Sequence, residues 1–244
     1  MAANAKSEAR PPDARGRIVD GLMKLAGERR FEDIAIRDIC NAADVTLADF
    51  RDAFPSKGAV LAGFSRRIDR AVLSADLGEL ADESPRERLF DILMRRLEAM
   101  APYRKGLRET IAWLRREPAA ALAMNQVALS SMRFMLEAAG VEPGAGAAEA
   151  IKLQGLTLAW ARVVAVWLDD EDPGLSKTMA ALDRELARGE RAVARVDRLG
   201  GLVAPFKAFA EAAFDAERRL RKRPGRVRAE ADAAAGDDGP TDAG

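Results

Sequence analysis

The side chains that most often carry out catalysis are scarce in this sequence. It contains no histidine, which excludes Ser-His-Asp and Cys-His nucleophile arrangements and every metal site that needs an imidazole ligand. Its single cysteine, Cys40, cannot form an internal disulfide and lies among the apolar positions of a predicted helix, so a buried hydrophobic role is favoured over a reactive thiol. We find no acid-base pair and no glycine-rich phosphate loop. We therefore expect a protein that is not an enzyme and that needs no metal or cofactor.

The remaining chemistry is that of binding through local charge and apolar surface. The 39 lysines and arginines balance the 39 aspartates and glutamates, so net charge alone indicates neither nucleic acid nor membrane as a partner. The first twelve residues are polar and alanine-rich, without the apolar core of a signal peptide. The longest apolar run, residues 163–168, is far too short to span a bilayer. These features predict a cytoplasmic, globular protein.

Helical patterns run through most of the chain. Alanine, leucine, glutamate and arginine dominate, and the alternation typical of β-strands is almost absent, which predicts an all-α fold. Ser84, Pro85 and Glu87 have the spacing of a capped helix start; Pro118 marks another start and Gly140 an end. The helices predicted before this point cover about residues 13–29, 36–43, 47–54 and 57–75.

The most specific motif lies near the N-terminus. The second and third predicted helices are joined by Ala43-Asp44-Val45-Thr46, and the third is followed by Phe54-Pro55-Ser56-Lys57. With the stretch Phe31 to Cys40 (FEDIAIRDIC) and with Phe50, these residues resemble the DNA-binding domain of the TetR family of regulators, over about residues 15–64. The resemblance implies a three-helix, helix-turn-helix domain followed by a larger helical domain for ligand binding and dimerisation.

The resemblance also implies how this domain would bind double-stranded operator DNA. The third helix would enter the major groove, with Thr46 capping it and directing its first amide groups at a phosphate. Arg37 and Lys57 would make charge-assisted phosphate contacts, and Arg51 would read guanine through two hydrogen bonds. The predicted DNA interface consists of Arg37, Thr46, Leu47, Ala48, Arg51 and Lys57.

Acidic residues share this predicted interface. Asp49 and Asp52 place two negative charges on the third helix, and residues 13–70 contain 11 basic and 10 acidic residues. An aspartate can accept a hydrogen bond from cytosine N4, so acidity is compatible with base reading, but it gives the domain little net positive potential. The charge pattern therefore leaves open a second reading, in which the domain no longer binds DNA.

Large apolar residues in the C-terminal part are candidates for a ligand pocket. The resemblance implies a repressor whose operator affinity falls when a small apolar ligand binds there. Methionine adapts to irregular cavities, and an arginine on an apolar helix is normally paired with a carboxylate or, less often, with an anionic ligand. The same helical spacing also suits an ordinary core. The candidate pocket residues are Trp113, Met132, Met135, Trp160 and Arg162.

A heptad pattern predicts the dimer interface. Apolar side chains recur at alternating steps of four and three residues after Pro173, next to a helix predicted over 151–168 that is apolar almost all round. We expect both helices, from two copies of the chain, to form an isologous four-helix contact. The seam consists of Leu175, Met179, Leu182, Leu186, Gly189, Val193 and Val196.

A second resemblance concerns the C-terminal half. Trp160, the stretch from Trp167 to Pro173 (WLDDEDP) and residues 179–186 are similar to the ubiquinone-biosynthesis lipid-binding proteins, which share the TetR fold and have given up DNA for lipid. Residues 202–223 form an amphipathic pattern that ends in a basic cluster, as in a helix that lies on an anionic membrane. A terminal helix packed on its own domain has the same pattern, since basic residues are favoured at helix C-termini. We favour the packed helix.

The sequence thus divides into four parts. We predict a flexible arm (1–12), the helix-turn-helix domain (13–56), a helical regulatory and dimerisation domain (57–223) and a disordered tail (224–244) rich in alanine, aspartate and glycine.

Overall fold

The computed structural model describes residues 14–76, 78, 82–141 and 146–194, and within these residues all regular structure is helical, as the sequence predicts. Residues 176–194 are helical and are called α9. Two one-turn 3-10 helices span Phe31–Asp33 and Ala101–Tyr103. The other helices are α1 (Ala14–Ala26), α2 (Ile36–Ala43), α3 (Leu47–Ala53), α4 (Lys57–Leu73), α5 (Pro85–Met100), α6 (Arg104–Leu114), α7 (Pro118–Ala138) and α8 (Gly146–Asp169).

Contacts between residues group the chain into two compact units, Met1–Glu190 and Arg191–Gly244. The helix-turn-helix and the helices that follow it, up to Glu190 in α9, belong to the first unit. The predicted arm (1–12), the amphipathic segment (202–223), the tail (224–244) and the seam residue Val196 lie outside the described residues.

Local signals set several helix ends where the sequence predicts them. The Ser84 hydroxyl accepts a hydrogen bond from the Glu87 amide at 3.3 Å, and the Glu87 carboxylate accepts one from the Ser84 amide at 3.0 Å. Hydrogen bonding with the Ser84 side chain and then with its backbone lowers the pKa of Glu87. Pro118 opens α7. Just after α7, Gly140 takes a φ of +70°, a left-handed conformation that glycine adopts without a steric cost and that ends the helix.

Helices α1 to α4 pack around a shared apolar core. Ile18, Leu22 and Ile39 are fully buried there, together with Phe54, the residue that follows α3. A Cβ atom at Gly63 would lie 2.6 Å from the Phe54 ring, so the glycine makes room for the aromatic side chain against α4. Helix α4 then packs on α5 and α7, which joins the N-terminal core to the rest of the unit.

The predicted bounds of the last two helices need correction. Helix α8 begins at Gly146, ahead of the predicted 151, and α9 begins at 176 instead of at Pro173. The reason is a capped turn: Asp172 accepts from the Ser176 amide at 3.1 Å, and Asp170 accepts from the Thr178 amide at 2.9 Å. These carboxylates satisfy the first amides of α9 and fix where it starts.

One helix of the described part, α8, is long and apolar enough to cross a membrane by length and composition alone. Its most apolar stretch is 44% buried within the protein. Asn125 of α7 and Gln154 of α8 exchange two amide hydrogen bonds, at 3.0 and 3.2 Å, and Arg133 of α7 forms an ion pair with Glu149 at 2.7 Å. These polar contacts and the buried fraction are typical of a helix packed in a protein core.

Candidate nucleic-acid interface

The turn between α2 and α3 holds α3 by a reciprocal cap. Asp44 occupies the left-handed region with φ 51°, and Thr46 is the N-cap residue of α3, as predicted. The Thr46 hydroxyl accepts from the Asp49 amide at 3.1 Å, while the Asp49 carboxylate accepts from the Thr46 amide at 2.9 Å and from its hydroxyl at 2.7 Å. The Thr46 hydrogen bonds lower the pKa of Asp49. The first turn of α3 is therefore well defined.

Helix α3 presents one face to the core and the other to solvent. Phe50 is buried, with its ring 6.4 Å from that of Phe54. The residues predicted to contact DNA at and after the start of this helix are all exposed, namely Thr46, Leu47, Ala48 and Arg51. Leu47 has 54% of its surface accessible. Arg51 makes no ion pair with any described residue, so its guanidinium is available to a partner.

Arg37 lies in the first turn of α2 and is also exposed. The neighbouring Asp38 is held in place by the Ala35 amide at 2.9 Å and by an ion pair with Arg29 at 3.1 Å. Arg37 has no such partner within the described chain. Among the described residues, Arg37 on α2 and Arg51 on α3 are therefore cations left free on the helix-turn-helix surface.

Lys57 does not have the environment expected of a phosphate contact. Its ammonium group donates hydrogen bonds to the carbonyl oxygens of Phe31 at 2.6 Å and Ile34 at 2.9 Å and lies 4.6 Å from the centre of the Phe31 ring. Burial lowers the pKa of Lys57. This lysine ties the start of α4 to the 3-10 turn before α2, so its ammonium group is engaged within the chain, and the phosphate contact predicted for Lys57 stays a prediction.

Several acidic groups of the N-terminal core are already engaged within the chain. Asp20 accepts from Tyr103 at 3.1 Å and pairs with Arg67 at 2.9 Å. Asp38 and Asp49 are held at helix starts, where the helix dipole favours negative charge. The acidic residue of α3 without such a partner in the described part is Asp52. A count of charges along the sequence therefore overstates the repulsion that α3 would exert on DNA.

Helix α6 attaches to the helix-turn-helix domain through a contact that the sequence did not indicate. The Trp113 ring stacks on Phe31, with centroids 4.3 Å apart. Arg116 pairs with Glu32 at 3.2 Å, and Glu109 accepts from the Phe31 amide at 3.3 Å. The Trp113 ring thus packs between α6 and the 3-10 turn before α2, as the alternative of an ordinary core residue implies, and its role in a ligand pocket stays a prediction.

The opposite face of α6 holds the end of α8. Arg104 donates to the carbonyl oxygens of Trp167 and Asp170, and Arg108 donates to that of Leu168. These arginines add hydrogen bonds to carbonyl groups at the end of α8, where the last carbonyls of a helix lack partners within the helix. One helix thus contacts both the helix-turn-helix domain and the end of α8.

The other predicted pocket residues lie partly in the core and partly on the surface of the described part. Met132 and Met135 have no accessible surface, and Trp160 is buried in the same core, so the alternative of ordinary core residues applies to them. Arg162 is exposed and pairs at 3.1 Å with Glu185 of the same chain, which is the carboxylate alternative of the two expected partners. A groove of about 1200 Å³ does lie between α1, the turn after α2 and α6, but none of the five predicted residues lines it.

A buried ion pair in the C-terminal core was also missed. Arg96 of α5 is 5% exposed and pairs with Asp69 of α4, which also accepts from the Ser131 hydroxyl of α7 at 2.6 Å. The guanidinium carbon lies 5.6 Å from the centre of the Trp160 ring. This cluster connects α4 with α5, α7 and α8. Its only signal in the sequence is an arginine on the apolar face of α5.

The predicted dimer seam is largely occupied by the chain itself. Leu182 is 1% exposed and Leu186 7% exposed, because both pack into the core beside α8. Leu175 precedes α9 with a φ of 53° and is half-buried. Among the seam residues of the first unit, Met179 is the one whose large apolar side chain stays exposed, at 39%. Val193 belongs to the second unit.

An exposed apolar stripe lies instead on α8. Ile151 is 60% exposed and Leu158 is 48% exposed, with the exposed Gly155 between them. Their spacing of four and three residues places all three on one face of the helix. A side chain added at Gly155 would meet no atom within 4 Å. The described residues leave this face of α8 uncovered.

Solved structures place this arrangement in a known fold. A TetR transcriptional regulator from Nitrosomonas europaea ATCC 19718 is 22% identical to the chain, with a TM-score of 0.57 over 72% of this chain and 97% of that protein. A TetR transcriptional regulator from Rhodococcus sp. RHA1 is 18% identical, with a TM-score of 0.50 over 72% of this chain and 95% of that protein. Neither a protein-family profile nor a curated protein sequence matches the chain. The protein is an all-α, helix-turn-helix protein with the TetR fold, as its sequence predicts.

Proposed function

We propose that the protein is a TetR-type transcriptional regulator of the cytoplasm that binds operator DNA as a homodimer and represses transcription until a small apolar ligand binds. The observation that carries this proposal is α3 itself, a capped and exposed helix with a free arginine, supported by a core that includes Phe50 and Phe54. The similarity in fold to solved TetR regulators supports the same function.

The DNA contacts follow from the positions of the free cations. Arg51 lies on the exposed face of α3, where a guanidinium can donate two hydrogen bonds to guanine. Arg37 lies at the start of α2, where we assign it to a phosphate. We assign Lys57 to a positioning role, because its ammonium group holds Phe31 and Ile34.

The homodimer part of the proposal uses the exposed face of α8 in place of the predicted seam. Ile151, Gly155 and Leu158 offer apolar surface and a close approach to a second copy. Met179 adds apolar surface from α9. Exposed apolar surface of this kind on a soluble protein marks an interaction site, and two-fold dimers are the commonest oligomers.

The ligand-relief part of the proposal is supported by the connections of α6. This helix stacks Trp113 on Phe31 on one side and binds the end of α8 through Arg104 and Arg108 on the other. A ligand that binds the C-terminal domain more tightly with α6 displaced would therefore shift the helix-turn-helix domain as well.

The experiment is a selection of bound sequences from random duplex DNA with the full chain, followed by affinity measurements over a range of salt concentrations. We expect a two-fold symmetric site, because a symmetric dimer binds two half-sites. In Arg37→Gln the slope of log Kd against log salt should fall by about 1 for each phosphate that the variant no longer neutralises.

The matched control is Arg70→Gln. Arg70 is an exposed arginine of α4 whose side chain has no partner in the described residues, and it lies about 20 Å along the helix from Lys57. It should keep the salt slope of the wild type. Failure of the wild-type chain to select or bind any DNA at low salt would refute the proposed function, as would equal effects of both substitutions.

A further inference from the structure

We infer that Leu47 reads a thymine, through apolar contact with its C5-methyl group in the major groove, and that the half-site therefore requires thymine at one position. This inference rests on the proposed function and specifies the DNA sequence that it recognises. The observation behind it is a large apolar side chain that is 54% exposed at the first position of α3.

The chemistry of leucine limits what it can distinguish. Its side chain neither donates nor accepts hydrogen bonds, so it cannot read the donor and acceptor pattern of a base edge. Among the groups that the base pairs present in the major groove, the thymine methyl is the apolar one. Covering that methyl removes apolar surface of both partners from water, which favours thymine over cytosine at the same position.

The position of Leu47 is suited to this contact. Residues at the N-terminal end of a recognition helix are those that contact base edges. Leu47 and Arg51 are four residues apart and therefore share a face of α3, with a separation of about 6 Å along the axis. Because stacked base pairs are about 3.4 Å apart, the thymine and a guanine read by Arg51 should lie within about two base pairs of each other.

The neighbouring acid does not compete for this role. An aspartate can read cytosine N4, but the Asp49 carboxylate is held in the cap of α3, where its Oδ2 accepts two hydrogen bonds from Thr46. Ala48 is exposed beside Leu47 and adds a small apolar surface. The first turn of α3 therefore offers apolar contact toward the bases, and the polar reading is left to Arg51 and Asp52.

The test replaces thymine by deoxyuridine, which removes the methyl group and leaves the hydrogen-bonding edge unchanged. Each thymine of the selected site is substituted in turn, in both half-sites, and the Kd of the full chain is measured. We expect one position per half-site at which the substitution weakens binding by about fourfold for each methyl removed, the change that removal of one buried methyl-sized group gives.

The same substitutions are then measured with Leu47→Ala. This variant should bind thymine and deoxyuridine at that position equally well and should keep its fold, because Leu47 is not part of the core. The control is Leu122→Ala, which removes a similarly exposed leucine from α7 and should keep the full preference for thymine.

The outcomes separate this inference from the proposed function. Absence of all DNA binding by the wild type would overturn both. Tight binding with no thymine sensitive to deoxyuridine would overturn the inference and leave the function standing. A methyl effect that persists unchanged in Leu47→Ala would also overturn it, since another residue would then read the methyl. A methyl effect that is lost in Leu47→Ala and kept in Leu122→Ala would support it.

Discussion

The α2–α3 pair and the α8–α9 pair both carry exposed apolar side chains. The sequence predicted which apolar residues are exposed on α3, but not which are exposed on α8 and α9. On α3 the predicted contact residues, Leu47 among them, lie on the exposed face. On α9 the best-spaced leucines, Leu182 and Leu186, are buried by their own chain, and the open apolar surface includes Ile151 and Leu158 of α8. A heptad pattern shows that a helix is covered on one side, but it does not show whether the cover belongs to the same chain.

The physical reason is the range of the interactions involved. The start of α3 is decided by Thr46 and Asp49, which are three residues apart, so the sequence contains the whole cap. The side chain of Arg162 instead meets Glu185, 23 residues further on, and a pairing at that distance depends on how the helices pack. Local signals therefore predict where helices begin and end, and tertiary packing decides which face remains open.

The largest expected effect is a loss of stability when the buried leucine of α9, Leu182, is replaced. Leu182→Ala should lower the free energy of unfolding by about 3 kcal/mol, because it leaves a cavity in the core of the single chain. Urea denaturation at a fixed protein concentration, followed by circular dichroism, measures this change.

The companion substitution is Leu158→Glu, which places a charge on the exposed stripe. It should keep the helical content of the wild type and halve the mass measured by light scattering, since the charge would be unpaired in a dimer contact. If Leu158→Glu kept the dimer mass while Leu182→Ala left stability unchanged, our assignment of the two faces would be reversed.

A smaller effect is expected at the cap of α3. Thr46→Ala removes the hydroxyl that accepts from the Asp49 amide and should lower the free energy of unfolding by about 1 kcal/mol. It should also weaken DNA binding, because the first turn of α3 carries the contact residues. Thr46→Ser is the matched control and should retain both properties. Equal stability of the alanine and serine variants would show that the cap contributes nothing.

The pH dependence of stability tests the cap of α9, the counterpart of the α3 cap in the other region. Hydrogen bonds from Thr178 lower the pKa of the buried Asp170, so its stabilising effect is present above the ordinary aspartate pKa. That contribution disappears as the pH falls through the lowered value. Asp170→Asn should therefore have a lower Tm at neutral pH and a shallower fall in Tm on acidification.

Thr178→Val provides the comparison, since it keeps the carboxylate and removes one donor. Its Tm at neutral pH should lie between those of the wild type and Asp170→Asn. A wild-type Tm that falls with acid as gradually as that of Asp170→Asn would exclude this carboxylate as a contributor.

The candidate site shows the same division between what local sequence determines and what packing determines. The helix-turn-helix and its exposed residues could be predicted, because caps, turns and apolar spacing are local. The inward role of Lys57 could not, since its acceptors are carbonyl oxygens 23 and 26 residues earlier in the chain. The stacking of Trp113 on Phe31 joins segments far apart in the sequence, and no pattern in either segment indicates it.

The close approach of α6 to α1 has a consequence for sequence variation. A Cβ atom at Gly106 would overlap the carbonyl oxygen of Met23, so the two backbones touch at this point with no room for a side chain. We expect chains that share this arrangement to keep glycine at this position while the exposed residues around it vary freely. A glycine three residues after the tyrosine of the preceding 3-10 turn would then allow the contact to be recognised in sequences whose structures have not been determined.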